Sequence, residues 1–418
     1  MTKIFKIKSE FKRNIITMFT GTVISQAIPI AISPILTRIY SPEQFGLFAL
    51  YTSIIALLLL MSTGSYEMAI MLPKKDEDAK YMIYACLFVA LFISIFFLTF
   101  FYFFAKDIVV YLGNEDILLW LYISPFLIIF LALLQSLNIW NSRKKRYKIL
   151  ANNKILNTSS IGVSQITLGS IVVSNFGLIM GHILGQIVSI ITLLKTSLKN
   201  DRLIQNFKYK KMFLLMLHYK KFPLFTLPNS IVDGIRLAVI NILISKYFST
   251  AILGQFSLAW RMVQAPASMI TAAISPVLYQ KTSTTPKKDL SKLVQQFLLK
   301  ASLVSLPIFT IIYFFASDIF VFVFGEQWFE AGLIASSLTP WLFLNFLTSP
   351  ISSIYIIIDK QQVMFIFSVV YMAVPLTLLA LLQGDNFFDV IQVISIAMSG
   401  LLIVFIFLLM YFLNRLKD

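Results

Sequence analysis

The sequence predicts an all-α integral membrane protein of twelve transmembrane helices, on three observations. The 418 residues are 58% hydrophobic and 13% charged, with a mean hydropathy of +0.83. A soluble domain carries about 25% charged residues. The apolar residues fall in runs that approach or exceed ~20 positions, the length a helix needs to cross a bilayer. The basic residues crowd the gaps between alternate runs, as cytoplasmic loops require.

In chain order, spans are expected near 14–37, 45–70, 80–105, 116–140, 149–173, 177–195, 222–245, 251–280, 293–316, 331–358, 362–383 and 388–412. The opening MTKIFKIKSEFKRN is basic, and the apolar run after it is too long for a signal-peptide core, so it reads as span 1. With the N-terminus inside, 30 of the 35 Lys and Arg residues fall in inside segments. The outside turns hold only Arg38, Lys106 and Lys246, while Arg236 and Arg261 lie within spans. This alternation predicts an even number of spans with both termini cytoplasmic. It also explains the net charge of +16 without nucleic acid as a partner. The outside loops are short, which argues against a membrane glycosyltransferase, ligase or polymerase and for a transporter rather than an enzyme. Cys86 is the single cysteine, so no internal disulfide forms, and His182 and His218 offer no metal-ligand spacing.

The two halves echo each other. Tyr102–Ile108 reads YFFAKDI and Tyr313–Ile319 reads YFFASDI; Gly46–Leu50 reads GLFAL and Gly254–Leu258 reads GQFSL. These pairs sit at equivalent places in each set of six spans. They predict a parallel repeat about an axis along the membrane normal, which places substrate between the halves. The organisation expected is therefore two pseudo-symmetric six-helix lobes, 1–195 and 222–418, joined by a cytoplasmic linker at 196–221. The linker's FKYKKMFLLMLHYKKF mixes apolar and basic residues, as an interfacial helix on an anionic leaflet does.

Three charges lie deep in spans 7 and 8. An unpaired charge at mid-bilayer costs roughly 2.5–3.5 kcal/mol on insertion scales, so such residues usually face a bundle interior or an aqueous path. Asp233 lies about 16 Å along its helix from Phe222, and Arg261 about the same distance from Thr250. Asp233 and Arg236 are three apart and can meet on one helix face. They read either as a self-neutralising structural pair or as a gate that exchanges partners between states. Arg261 has no obvious partner on its own span, and a guanidinium fork suits the oxygens of a diphosphate. Arg38, near the outer end of span 1, either snorkels to the interface or meets substrate. Glu67, near the inner end of span 2, is either an interfacial structural acid or a gating or proton-coupling group. His182, in GLIMGHILG, is either a buried hydrogen-bonded side chain or a proton relay; Gly177, Gly181 and Gly185 beside it form a helix-packing face. Pro29 and Pro34 in span 1, Pro223 and Pro228 in span 7, and Pro266 and Pro276 in span 8 predict bends, as static kinks or hinges.

Three stretches carry a family resemblance: LTRIYSPEQFGLFAL (Leu36–Leu50), YKKFPLFTLP (Tyr219–Pro228) and LGQFSLAWRMVQAP (Leu253–Pro266). The chain resembles the polysaccharide (O-antigen type) flippases of the multidrug/oligosaccharidyl-lipid/polysaccharide exporter superfamily. The resemblance implies two six-helix lobes around a central cavity, and alternating access that carries an undecaprenyl-diphosphate-linked oligosaccharide from the inner to the outer leaflet. Arg236 and Arg261 would hold the diphosphate, and short-lived pairing with Asp233 would release it. On the reading of the residues alone, Arg38 joins the substrate site and Glu67 and His182 are the gating or proton-coupling residues. The implied partners are the lipid-linked glycan, membrane lipids, and the glycan polymerase and chain-length machinery. No cofactor is implied beyond coupling to an H+ or Na+ gradient. A cation-coupled multidrug exporter of the same fold would want buried acids, whereas the deep charges here are mostly basic. A peptidoglycan-precursor (lipid II) flippase would carry several arginines within span 1, where none precedes Arg38, and fourteen spans.

Overall fold

The computed structural model describes residues 2–171, 176–201 and 207–415; the side chains of 2–15, 229, 232 and 233 lie outside that description. Among the described residues every regular element is a helix. The order is α1 (Thr2–Ile39), α2 (Pro42–Ser62), α3 (Tyr66–Ala69), α4 (Asp76–Leu112), α5 (Leu118–Arg143), α6 (Tyr147–Ile171) and α7 (Gly177–Asp201). Then come α8 (Tyr209–His218), α9 (Leu227–Tyr247), α10 (Thr250–Thr284), α11 (Lys287–Phe324), α12 (Phe329–Thr348), α13 (Ile354–Ile357), α14 (Gln361–Leu381) and α15 (Phe387–Arg415). Ten of them, α1, α2, α4, α5, α7, α10, α11, α12, α14 and α15, are long and apolar enough to cross a membrane. The other two expected spans are α6 and α9, of 25 and 21 residues. Their length suffices to cross; their polarity sets them apart. α6 carries Asn152, Asn153, Lys154, Asn157 and Gln165, and α9 carries Asn229, Asp233, Arg236 and Asn241.

The repeat read from the sequence reappears in the way helices start and stop. Ser41 and Ser249 both cap: the Gln44 N–H donates to Ser41 Oγ at 3.3 Å, and the Ile252 N–H donates to Ser249 Oγ at 3.0 Å. α4 and α11 each end on a positive-φ glycine, Gly113 at 68° and Gly325 at 106°. Each glycine N–H donates to a valine carbonyl four residues back at 2.9 Å, Val109 or Val321. A 3-10 turn follows in both halves, Glu115–Ile117 and Glu326–Trp328. α5 and α13 each end in a left-handed residue, Lys145 at φ 55° and Asp359 at φ 56°. The bonds around them match: Arg146 N–H to Asn141 O at 2.9 Å, and Lys360 N–H to Tyr355 O at 2.8 Å. These are Schellman caps, in which the amide beyond the left-handed residue reaches back five positions. The offset between equivalents grows along the chain, from Ser41/Ser249 to Gly113/Gly325 to Lys145/Asp359, so no single alignment register captures the repeat.

Two expected spans are shorter than the sequence reading. Span 2 ends at Ser62, because Gly64 and Ser65 adopt φ of 60° and 59° and turn the chain before α3. Span 10 ends at Thr348, where Pro350 removes an amide donor and restricts Ser349, before α13. Span 7 is broken near its start as well: Phe222–Thr226 forms a turn of π-helix with Pro223 in its first positions, and α9 follows. Pro29 and Pro34 lie inside α1, and Pro266 and Pro276 inside α10.

The chain divides into two compact units, Met1–Tyr40 with Leu47–Ile242, and Ser41–Gly46 with Leu243–Asp418. Most of α9 therefore packs with the first unit, whereas the lobe boundary expected from the repeat falls in the linker before it. Asn241 Nδ2 donates to Ser53 Oγ of α2 at 2.9 Å, and Gly234 lies against Leu60. In the first unit α1 packs on α6, α6 on α7 and α4 on α5. The glycine face of α7 is realised: a Cβ on Gly181 would meet the Gln165 backbone at 2.7 Å, and one on Gly185 the Ile161 backbone at 2.7 Å. Small residues let two membrane helices approach this closely. One core of this unit gathers Met82, Cys86, Leu137, Trp140 and Leu193. α8 docks there through Met212 and leaves Phe213, Leu214 and Leu217 exposed, while Lys211 binds Glu77 at 2.7 Å and Asp78 at 2.8 Å. In the second unit, α12 packs on α10, α11 and α15, and Leu278, Leu290, Tyr355 and Leu409 share a core.

Candidate functional site

The strongest candidate is Arg261. It lies mid-way along the membrane-length part of α10, about 16 Å from the helix start at Thr250. The side chain is half-buried and makes no ion pair or hydrogen bond among the described residues. Its position is fixed by its neighbour: the Trp260 ring meets Trp341 at 5.2 Å and Phe256 at 5.9 Å, and Trp341 Nε1 donates to Tyr371 Oη at 2.6 Å. Gln264, one turn on and on the same face, has its amide oxygen buried without a hydrogen-bond partner. A guanidinium and an amide so placed offer several N–H donors and no competing acid among the described residues. That suits an anion with several oxygens.

Arg236 is half-buried on α9, in the first unit, and directly follows Ile235. Ile231 and Ile235 line an apolar groove of about 320 Å³ with Ile54 and Leu57 of α2 and Phe97 and Phe101 of α4. The Asp233 side chain, and with it the expected pair to Arg236, lies outside the described residues. Arg38 is exposed in the last turn of α1, where a cation faces the negative end of the helix dipole.

Glu67 and His182 are both in the first unit. Glu67 sits on α3, beyond the left-handed turn, rather than on span 2. It is 6% exposed and accepts hydrogen bonds from Thr63 Oγ1 and from Gln135 Nε2, the latter at 3.1 Å. His182 on α7 meets Phe48 and Tyr51 edge-on, with ring centroids 5.7 and 6.0 Å away, and Gln186 Nε2 lies 3.5 Å from its Nε2.

The profile of a family described as polysaccharide biosynthesis protein matches residues 35–332, well over half of the chain. The chain belongs to that family. No curated protein matches it in sequence. This polysaccharide biosynthesis protein is similar in structure to a lipid II flippase MurJ in an inward closed conformation, at TM-score 0.72 and 15% identity over 96% of this chain and 90% of that one. It is similar to an inward-facing multidrug resistance MATE family transporter of the MOP superfamily, at TM-score 0.66 and 15% identity over 94% and 95%. A MOP superfamily transporter from Pyrococcus furiosus, described as having a binding pocket of reverse polarity, matches at TM-score 0.58 and 11% identity over 97% of each chain. The all-helical membrane fold expected from the sequence is shared with these solved structures.

Three residues of this polysaccharide biosynthesis protein escaped the sequence reading: Gln264 beside Arg261, and Thr63 and Gln135 around Glu67. A lone glutamine in LALLQSLNIW was a signal in itself, because an amide inside an apolar span needs a partner. Which partner it has depends on a contact across 68 positions.

Proposed function

We propose that this protein is a flippase that moves an undecaprenyl-diphosphate-linked oligosaccharide, an O-antigen or capsule repeat unit, from the cytoplasmic to the outer leaflet of a bacterial inner membrane. Alternating access between the two halves of the repeat carries the headgroup, while the isoprenoid tail stays in lipid. The observation that carries this reading is Arg261, a membrane-embedded guanidinium with no ion pair or hydrogen bond among the described residues. A diphosphate supplies the charge that it lacks, in a fork-to-oxygen geometry. Gln264 adds an amide donor on the same face. Arg236 takes a second share of the charge, with Asp233 as its partner once substrate leaves, and Arg38 guides the headgroup at the outer end. Family membership supports a role in polysaccharide export, and similarity to a structure named as a lipid II flippase supports a lipid-linked substrate. The alternation of basic segments supports termini on the cytoplasmic side. The glycan polymerase and chain-length machinery act on the exported product.

The test is deletion of the gene followed by analysis of lipid-linked glycans. The expected result is loss of one surface glycan and accumulation of its undecaprenyl-diphosphate-linked unit on the cytoplasmic leaflet. An unchanged lipid pool together with unchanged surface glycan overturns the reading.

A further inference from the structure

The groove between α2, α4 and α9 lies wholly within the first unit and has a volume of about 320 Å³. Ile54, Leu57, Phe97, Phe101, Ile231 and Ile235 line it, and every lining side chain among the described residues is apolar. Two contacts fix α9 on α2 beside it. A Cβ on Gly234 would meet Leu60 Cδ1 at 2.5 Å, and Asn241 Nδ2 donates to Ser53 Oγ at 2.9 Å. The groove also borders lipid. Phe92, Phe96 and Phe103 recur at helical spacing on one exposed face of α4, a helix of membrane length. Such an exposed apolar stripe is covered by acyl chains. Phe97, which lines the groove, is the residue next to Phe96.

Apolar walls of Leu, Ile and Phe keep a cavity dry and ready for hydrocarbon; about 150 Å³ of such space takes benzene. This groove has about twice that volume, room for about two to three branched five-carbon units. One cation adjoins it. Arg236 follows Ile235 and sits in the middle of α9, nine residues from Leu227 and eleven from Tyr247. About 14–16 Å of helix therefore separates it from either end. A bulk phospholipid keeps its phosphate at the surface of a hydrocarbon layer ~30 Å thick, so its charge does not reach a guanidinium at mid-span. A lipid whose headgroup is carried across brings phosphate to that depth, with the first carbons of its tail alongside.

We infer that this groove seats the first isoprene units of the substrate's tail, those next to the diphosphate, while the rest of the chain lies in the surrounding bilayer. The inference rests on the flippase reading above. Arg236 takes phosphate oxygens, and the apolar walls of α2, α4 and α9 take the carbons attached to them. Gripping phosphate and tail together selects an isoprenoid diphosphate over free diphosphate, which has no tail, and over phospholipid, whose phosphate stays at the surface. This selection is independent of the sugars that the lipid carries.

The probe is farnesyl diphosphate with a diazirine on its chain, an isoprenoid diphosphate without sugar. Irradiated with the purified protein in phosphatidylethanolamine nanodiscs, it is expected to label positions within 54–61, 97–101 or 231–235, mapped by peptide mass spectrometry. Undecaprenyl diphosphate displaces it, whereas equal concentrations of phosphatidylglycerol or inorganic diphosphate do not. Label confined to other segments overturns the inference. So does equal displacement by phosphatidylglycerol, which makes the groove an ordinary lipid contact, or by inorganic diphosphate, which leaves the tail no part. Leu57→Trp fills the groove and is expected to weaken probe binding about tenfold. Arg236→Gln is expected to remove the preference for farnesyl diphosphate over farnesol. Melting curves check that both variants fold, and the wild-type label map decides without them; unchanged binding in folded Leu57→Trp overturns the seat. Proteoliposomes containing fluorescent undecaprenyl-diphosphate-linked oligosaccharide separate this from the flippase reading. If the probe labels the groove and the wild type moves no lipid, the flippase reading falls and the seat stands. If the wild type moves lipid at a rate that Leu57→Trp leaves unchanged, and the groove takes no label, the seat falls and the flippase reading stands.

Discussion

Gly254 presses so closely on Pro42 that a Cβ added to it would sit 1.7 Å from the Pro42 carbonyl oxygen. The contact is reciprocal: a Cβ on Gly46 would sit 1.7 Å from the Thr250 carbonyl oxygen. Pro42 is to Gly46 as Thr250 is to Gly254, so the starts of α2 and α10 cross through one self-complementary contact between equivalent halves of the repeat. Backbone cannot yield as a flexible side chain can. Gly46→Ala and Gly254→Ala are therefore each expected to destabilise the protein by about 1–3 kcal/mol, the usual range for overpacking. The cost comes from forcing the two helix starts apart. Thermal unfolding in detergent, with Gly384→Ala as the control at a glycine that has open space, measures it.

Arg261→Ala is expected to abolish glycan export with normal insertion, and Arg261→Lys to restore only part of it. Losing hydrogen bonds to a charged group costs about 1.5–3 kcal/mol, roughly 10- to 150-fold in binding. Lysine keeps the charge and loses the planar fork. Initial flipping rates with the labelled lipid, scaled to protein in the membrane, check the order wild type, Lys, Ala. Equal rates for all three would remove Arg261 from the site.

Much of this was legible in the chain. Runs of apolar residues marked twelve spans, ten of which are helices long and apolar enough to cross a membrane, and two short echoes exposed a repeat that capping residues such as Ser41/Ser249 and Gly113/Gly325 then matched. α3 and α13 were not legible, because an apolar run does not reveal where it turns. Only Gly64 and Pro350 hinted at the breaks, and Ser65 in a left-handed conformation gave no warning. Glu67 could be picked as unusual but not explained. The amide that makes it chemically interesting is far along the sequence, and only packing of α3 against α5 brings the two together. Arg261 was legible for a physical reason: charge inside an apolar span is rare enough to stand out without any contact.

Gln255 joins α10 to the start of α12. Its Nε2 donates to the Gln327 carbonyl at 2.7 Å, and its Oε1 accepts from the Ala331 N–H at 2.9 Å. The residue is buried, and the amide meets a loop carbonyl and one of the orphan N–H groups of a helix start. Gln255→Leu strands the Ala331 N–H at about 1–3 kcal/mol and removes the donor to the Gln327 carbonyl. Gln255→Glu keeps the acceptor for Ala331 and turns a carboxyl oxygen toward the Gln327 carbonyl, so it is expected to destabilise as well. Melting temperatures for the two variants, both below wild type, test the bridge.

Asp201 ties together one end of the first unit. Its carboxylate accepts from Arg146 Nη2 at 2.6 Å and from Trp140 Nε1 at 2.9 Å, while its backbone carbonyl takes Lys80. One residue at the end of α7 thus holds α4, α5 and the start of α6. The Asp201 side chain is 6% exposed and that of Arg146 is 20% exposed. Breaking a fully buried pair by removing one partner costs roughly 3–5 kcal/mol. Asp201→Ala should fall toward or below the lower end of that range, because Arg146 reaches water, and Lys80 should hold, because its acceptor is backbone. The Trp140 N–H is left buried and unsatisfied. Adding Arg146→Met to Asp201→Ala removes the stranded cation, so the double variant is expected to be more stable than Asp201→Ala alone. A double-mutant cycle on unfolding in detergent reads this coupling directly. Additive losses would mean that the two side chains do not support each other, and that Trp140 alone accounts for the role of Asp201.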